Sequence, residues 1–171
     1  MADIKKFSLV YDAAEDRIAW DTEDAEGGGT RLWLTQRMCR ELVGAVIPRL
    51  PKTAAAPDIA PDAAPEQEAA VQSWEQAAAA SNHIRTTGVR VSPETTAGLV
   101  SAVHITPSNA GMALTFDFAG QQRAIAMDAM AIRQAMNVLH GLFVAANWPT
   151  DVWPGWIAQP VTAAANLRSL N

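Results

Sequence analysis

One strand-then-helix pattern occurs twice in this sequence and constrains the fold more than any other feature. A shift of 93 positions superimposes residues 30–50 on residues 123–143. In each copy a short apolar strand runs directly into a good N-cap residue, Thr35 or Asp128, whose side chain can accept a hydrogen bond from the first helical turn. Matched apolar residues then recur at helical spacing: Cys39, Val43, Val46 and Leu50 in the first copy, and Ile132, Met136, Leu139 and Phe143 in the second. Each helix therefore carries an apolar stripe that a sheet must cover.

Two further strands precede each copy, because short runs with apolar alternation are separated there by turn-forming residues. The expected strands are 7–11, 17–22 and 31–34 in the first half, and 99–105, 112–118 and 124–127 in the second. The expected helices are 36–47 and 129–147. The sequence thus predicts an α+β fold: an internal duplication of a β-β-β-α unit, with antiparallel sheets and two main helices. Whether the two sheets merge or pack face to face is left open by the pattern.

Four segments follow from this organisation. Residues 1–50 and 97–148 form the two β-β-β-α halves, and residues 51–96 form an Ala/Pro linker with an inserted helix near 66–80. We expect Trp74 to anchor that helix, and Ile84, Val89 and Val91 to lie along a sheet edge. Residues 149–171 form a Trp/Pro-rich C-terminal tail that cannot extend the preceding helix, because proline lacks the N–H that a helix needs.

Charge and cysteine content narrow the function classes. The net charge of −5 argues against nucleic acid as the main partner, since phosphate binding draws on clustered lysine and arginine. The single cysteine excludes an intrachain disulfide, and the chain lacks an apolar run of membrane-spanning length or a secretory signal at its start. We therefore expect a cytoplasmic protein with no membrane partner. The richness in alanine, with arginine exceeding lysine, suggests a bacterial source.

The residue types that could support catalysis or metal binding do not fall into a known pattern. The acidic residues between 12 and 26 lack the alternation and the central glycine of a calcium loop, and Gly27 to Gly29 lead into a strand rather than a helix. The three histidines lie far apart, and Cys39 lies on a buried stripe, where a core role is expected. We expect no cofactor and no metal site, and the case for an enzyme is weak.

Tryptophan and proline in the tail favour an interaction surface. Trp148, Trp153 and Trp156 could stack a ligand or anchor a partner protein, since tryptophan supplies a large apolar area and a hydrogen-bond donor. The alternative is that these rings cap the shared core.

The second main helix is apolar around more than one side, which indicates cover from two directions. Met130 lies beside its main stripe, so either the inserted helix or another subunit would cover this side. Arg40 and Arg133 occupy equivalent positions in the repeat. They could bind a carboxylate, but we expect both to be solvated.

Together these features predict a non-catalytic interaction or assembly protein. It would associate with itself as a homodimer, or with another protein, through Met130, Arg40, Arg133 and the tail tryptophans. A small-ligand module with an aromatic-lined cleft between the halves is one alternative. Another is a scaffold in nucleic-acid transactions, since the hairpin-and-helix unit distantly resembles the head domains of end-joining and centriole scaffold proteins. Those proteins continue into long coiled coils, and this chain has no heptads.

Overall fold

A computed structural model describes residues 4–51, 64–81, 88–89, 92 and 95–158. Within these residues the chain forms six strands and four α-helices. They are β1 (Ile4–Asp12), β2 (Arg17–Asp24), β3 (Gly29–Leu34), α1 (Gln36–Val46), α2 (Pro65–Ser81), β4 (Thr96–Pro107), β5 (Gly111–Phe118), β6 (Gln121–Asp128), α3 (Ala129–Ala145) and α4 (Gly155–Ala158). A short 3₁₀ turn, Ile47–Arg49, follows α1. The chain is therefore a mixed α+β structure.

All six strands belong to one sheet, in the order of the sequence. Neighbouring strands within each half are antiparallel. At the centre, β3 and β4 are parallel, and Thr30 pairs with Thr96. The expectation of purely antiparallel pairing is therefore wrong at this junction. The question left open by the pattern is answered too, since the two halves merge edge to edge.

The sheet is strongly bent, so that its two halves face each other. The rings of Trp20 on β2 and Phe116 on β5 have centroids 5.3 Å apart, although three strand spacings span about 14 Å in a flat sheet. Arg123 Nη2 on β6 likewise donates to Thr30 Oγ1 on β3 over 2.9 Å. A register shift in β4 between Val100 and Ala102 lies on the strand that connects the halves. The concave side of this bend holds the core.

Helix α3 lies inside the bend and packs against β1, β5 and β6, whereas α1 packs against β3 and β4. Both N-caps are confirmed, because Thr35 Oγ1 accepts from the Met38 N–H and Asp128 Oδ1 accepts from the Ala131 N–H. The two apolar stripes predicted from the sequence are buried throughout. The alternation of apolar residues and the cap chemistry were thus sufficient to place these helices.

The end of α3 turns the chain back onto the helix. Asn147 adopts a positive φ of 54°, and the Trp148 N–H donates to the Phe143 carbonyl. This is a Schellman motif, in which the residue after the left-handed position packs against the third-last helical residue. The rings of Trp148 and Phe143 make that contact, with centroids 5.2 Å apart.

Most strands extend one to three residues beyond their expected bounds, while α3 ends two residues earlier than expected. Helix α2 agrees closely with the expected 66–80 and packs against α3 and α4. Of the three residues expected along an edge, Val89 lies outside any strand, and Ile84 and Val91 lie outside the described residues. The same is true of most of the Ala/Pro linker and of the end of the tail. Among the described residues, no helix is long and apolar enough to cross a membrane.

Candidate functional site

The tail tryptophans pack into the core. Trp148 and Trp153 are each only 6 % exposed, and Trp156 is half-buried. Besides Phe143, Trp148 packs edge-on against Tyr11 of β1, with centroids 5.7 Å apart. Its indole N–H donates to Asp16 Oδ1 over 2.9 Å, which connects the tail to the β1–β2 turn.

Asp16 also accepts a hydrogen bond from the Tyr11 hydroxyl. The bonds from Trp148 and then Tyr11 lower the pKa of the Asp16 carboxyl below its usual value, because both stabilise the charged form. The alternative in which the rings cap the core describes the placement of Trp148.

Trp153 lies against the side of α3. Its ring is edge-on to Phe143 at 5.4 Å and to His140 at 5.2 Å between centroids. Burial lowers the pKa of His140 below its usual value, because a protonated imidazole would lose hydration there. Ile157 of α4 completes the contact at 2 % exposure. The tail therefore covers one side of α3 with apolar and aromatic surface.

Arg40 connects α1 to the same tail. Its Nη1 and Nη2 donate to the two carboxylate oxygens of Asp151 over 2.6 Å and 2.7 Å, and Nη1 also donates to the Pro149 carbonyl. The guanidinium holds the pKa of Asp151 below its usual value. Of the two alternatives for Arg40, the carboxylate partner describes the structure: a bidentate pair fixes the orientation of this side chain, which stays 33 % exposed.

Arg133 is fully buried between α3 and α2, so the expectation of a solvated side chain is wrong here. Its Nη2 donates to Glu75 Oε2, to Gln72 Oε1 over 2.8 Å and to the Pro51 carbonyl over 3.2 Å. Arg133 and Glu75 both have 0 % exposed side chains. Desolvation lowers the pKa of Arg133, and the charge of Glu75 opposes that shift. A buried ion pair of this kind requires exact geometry to offset its desolvation.

The rest of the α2–α3 contact is also polar. Gln76 Nε2 donates to the Arg133 carbonyl over 3.1 Å, and Gln134 Nε2 donates to the Ala79 carbonyl over 3.3 Å. The buried residues of α2, on the side that packs against α3 and α4, are Ser73, Glu75, Gln76 and Ala79. Three of these four have polar side chains, so α2 is inverted relative to an ordinary surface helix.

The side of α2 that faces away from α3 carries its largest apolar residue. Trp74 is 46 % exposed, so the expectation that it anchors α2 to the core is wrong. Residues three and four positions apart share a helical face. The positions in line with Trp74 are Gln67, Ala70, Val71, Ala77, Ala78 and Ser81, and with Trp74 they form what we call the outer stripe. All seven are exposed or half-buried.

A second exposed apolar row crosses the convex side of the sheet. Val10, Ala19, Trp33 and Leu99 are neighbours in register across four strands. Arg31 lies over the Trp33 ring at 5.1 Å, held there by a bidentate pair with the buried Asp21. Val10 and Leu99 are 50 % and 47 % exposed. Buried Ala19 interrupts the apolar surface of this row.

A half-open groove of about 300 Å³ lies between α1 and β4, at the junction of the two halves. It is lined by Met38, Glu41, Leu42, Ala45, Ser101, Ala102, Val103 and Ile105. None of these is aromatic, so this cleft differs from the aromatic-lined one that the sequence suggested.

The residues that could serve in catalysis or metal binding lie far apart in the structure. Burial raises the pKa of the Cys39 thiol to about 12, which disfavours the reactive thiolate. His104 Nε2 lies 2.9 Å from Asp117 Oδ2 on the convex side of β4 and β5. In the described part of the chain, no three side chains of His, Cys, Asp or Glu are grouped to hold a metal ion.

Comparison with known proteins adds no relative. No protein-family model matches the chain, and no curated protein or solved structure matches it significantly.

Of the six residues proposed from the sequence, the structure groups Arg40 with the tail tryptophans as intramolecular contacts. Arg133 instead pairs with Glu75 of α2, and Met130 is half-buried on α3. Sequence reasoning missed Glu75 and the outward direction of Trp74. One available signal was the pattern of α2, where Gln72, Ser73, Glu75 and Gln76 flank Trp74 on the opposite side of the helix.

Proposed function

We propose that this protein is a protein–protein interaction module that self-associates, with two copies pairing along the outer stripe of α2. The observation that supports it is the inversion of α2, with its polar residues buried against α3 and Trp74 exposed. Exposed tryptophan flanked by small residues is typical of interface anchors, since it supplies a large contact area at low entropic cost.

The charge pattern of α2 favours a second copy as the partner. From residue 69 to residue 81 the only charged side chain is Glu75, which is buried against Arg133. The outer stripe is therefore uncharged over three turns. Glu66 and Glu68 are exposed near the start of the helix. Antiparallel pairing places these acidic ends far apart in the dimer, whereas parallel pairing would bring them together.

The stripe is also self-complementary. Trp74 lies next to Ser73, the midpoint of the 17-residue helix. In an antiparallel pair centred on Trp74, the two Trp74 rings meet at the twofold axis. Ala70 then faces Ala78 of the partner, and Val71 faces the partner's Ala77. Small residues beside each ring leave room for the partner's ring, and the same patch on both copies is what a twofold interface requires.

The size of this contact implies a weak dimer. A helix of 17 residues is about 25 Å long, and a single helix pair buries less than the roughly 800 Å² per partner of a standard interface. We therefore expect a weak, reversible dimer, since interfaces below the standard size are typical of transient association.

Sedimentation velocity over a concentration series tests the proposal. We expect Trp74→Glu to remain monomeric at every concentration, because it places a charge at the twofold axis. The unfolding free energy should change by less than about 0.5 kcal/mol, since the residue is half exposed.

Leu99→Glu and Val144→Glu are matched controls, because both residues are exposed and apolar but lie outside α2. Their association should equal that of the parent protein. A Trp74→Glu variant that associates like the parent contradicts the proposed surface, and a parent protein that stays monomeric at millimolar concentration contradicts self-association.

We further infer that the two β-β-β-α segments are an internal duplication. The 93-residue shift between equivalent residues and the matching caps at Thr35 and Asp128 support this inference. The four-segment division, the cytoplasmic location and the bacterial source remain predictions from the sequence. The small-ligand and nucleic-acid alternatives remain predictions as well.

A further inference from the structure

Trp74 points away from α3, although burial of apolar surface alone would favour a helix rotation that packs this ring against α3. A rotation of α2 by about 100°, one residue position, exchanges the side chains that face α3. Such a rotation could carry Trp74 and Val71 toward α3 and move Gln76 toward solvent. Burying a tryptophan is favourable by itself, so another contact must oppose this rotation.

We propose that Arg133 is a positioning residue which, through Glu75, sets the rotation of α2 and thereby presents the outer stripe to a partner. This inference rests on the proposed function, since it assigns the contact that orients the self-association surface. It concerns the orientation of α2 within one copy, and it can be tested without any association.

The ion pair between Arg133 and Glu75 favours one rotation of α2 because both charges are buried. Arg133 has 0 % exposure, and its bonds to Glu75, Gln72 and the Pro51 carbonyl converge on one nitrogen, Nη2. If α2 rotated, Glu75 and Gln72 would leave that nitrogen while the guanidinium stayed between the helices. A buried charge without its counter-charge is strongly disfavoured, so the observed rotation is selected. Single polar contacts inside apolar interfaces fix helix register in the same way.

The experiment uses two introduced cysteines as probes of rotation. Cys39 is the only native thiol, and it is fully buried with a pKa of about 12, so the parent protein should give little background. Ala79→Cys places a thiol at a position with 0 % exposure against α3. Val71→Cys places one on the outer stripe. In the otherwise unchanged protein, we expect the thiol at 71 to react with a maleimide and the thiol at 79 to be protected.

The test variant replaces the ion pair by apolar side chains, Arg133→Met with Glu75→Leu. We expect labelling at position 79 to become at least about tenfold faster and labelling at position 71 to slow, because a tenfold change needs only about 1.4 kcal/mol. The conservative Glu75→Gln should give a smaller acceleration at position 79. The control Arg37→Met with Glu41→Leu removes an exposed ion pair on α1 and should leave both rates unchanged.

Labelling is measured at a protein concentration where sedimentation gives only monomer, with circular dichroism to verify folding. A folded double variant with parent rates at both positions overturns the proposal. If the double variant does not fold, Glu75→Gln decides: faster labelling at position 79 supports positioning by the charge, and a parent rate contradicts it. Because neither rate depends on association, failure of the self-association proposal remains separate from failure of this one.

Discussion

Two sides of α3 are covered in opposite ways. The tail covers one side with Trp148, Trp153 and Ile157, and its contacts are edge-to-face rings and aliphatic surface. Helix α2 covers a neighbouring side, around Arg133 and Gln134, with glutamine, serine and a buried ion pair, and it also packs against α4 of the tail. Apolar contact is non-directional and scales with area, whereas a buried ion pair depends on the positions of a few atoms. The tail contact is therefore suited to stability, and the α2 contact is suited to orientation.

The tail and α2 also differ in the elements to which they are bonded. Through Asp16 and Arg40, the tail reaches the β1–β2 turn and α1 as well as α3. The side chains of α2 bond to α3: Gln72 and Glu75 accept from Arg133, and Gln76 donates to the Arg133 carbonyl. Loss of the tail should therefore weaken several parts of the core, while a change in α2 should act on that helix, its outer stripe and its contacts with α3 and α4.

The largest expected effect is on the tail. Trp153→Ala should lower the unfolding free energy by about 4 kcal/mol, because it removes a buried ring and leaves a cavity beside Phe143 and His140. Urea denaturation measures this change.

Trp153→Phe is the matched control. The indole N–H of Trp153 has no hydrogen-bond partner among the described residues, so phenylalanine removes area without breaking a bond seen there. We expect Trp153→Phe to lower the unfolding free energy by much less than Trp153→Ala does. If Trp153→Ala costs less than 1 kcal/mol, the tail contact is not the stabilising one and the comparison fails.

A smaller effect is expected from Arg133→Met, at about 3 kcal/mol, since it removes the guanidinium that neutralises buried Glu75. Adding Glu75→Leu should restore most of this loss, because the double variant leaves no buried charge without its counter-charge, whichever side of α2 faces α3. The two single substitutions and the double substitution form a double-mutant cycle, in which urea denaturation measures each unfolding free energy. Additive losses would show that the pair is not coupled.

The smallest effect concerns pH and should act on the tail side alone. Burial lowers the pKa of His140 in the folded state, so the unfolded state binds the proton more readily. The stability that depends on neutral His140 is present above the ordinary value of about 6.5 and is lost as the pH falls below it. Thermal unfolding between pH 7.5 and 5 should show this slope, and His140→Gln should reduce it. An equal slope in both proteins would assign the effect to another group.

Most elements of the fold follow from local sequence signals. Thr35 and Asp128 mark helix starts, and the apolar stripes that follow them identify the buried faces of α1 and α3. The parallel β3–β4 pair could not be derived in this way, because the pairing of Thr30 with Thr96 depends on the path of the intervening chain.

The candidate site was harder to predict for a related reason. Arg133 and Glu75 lie 58 positions apart, and Arg40 and Asp151 lie 111 positions apart. The sequence gives no sign of such pairs, and an arginine on a helix is solvated in most proteins. The tail tryptophans could be identified as anchors, but their side chains pack against the interior of the same chain.

The parallel ladder at the centre of the sheet bears on how the chain can reach its native state. Each outer pair of strands is a local hairpin whose closing loop is short, so it can form and re-form without the rest of the molecule. Pairing β3 with β4 closes a long loop that contains α1 and α2, and the entropy of closing this loop opposes the pairing. The middle of the sheet is thus the part that local structure assists least, and the barrier to folding should be crossed when the two halves meet.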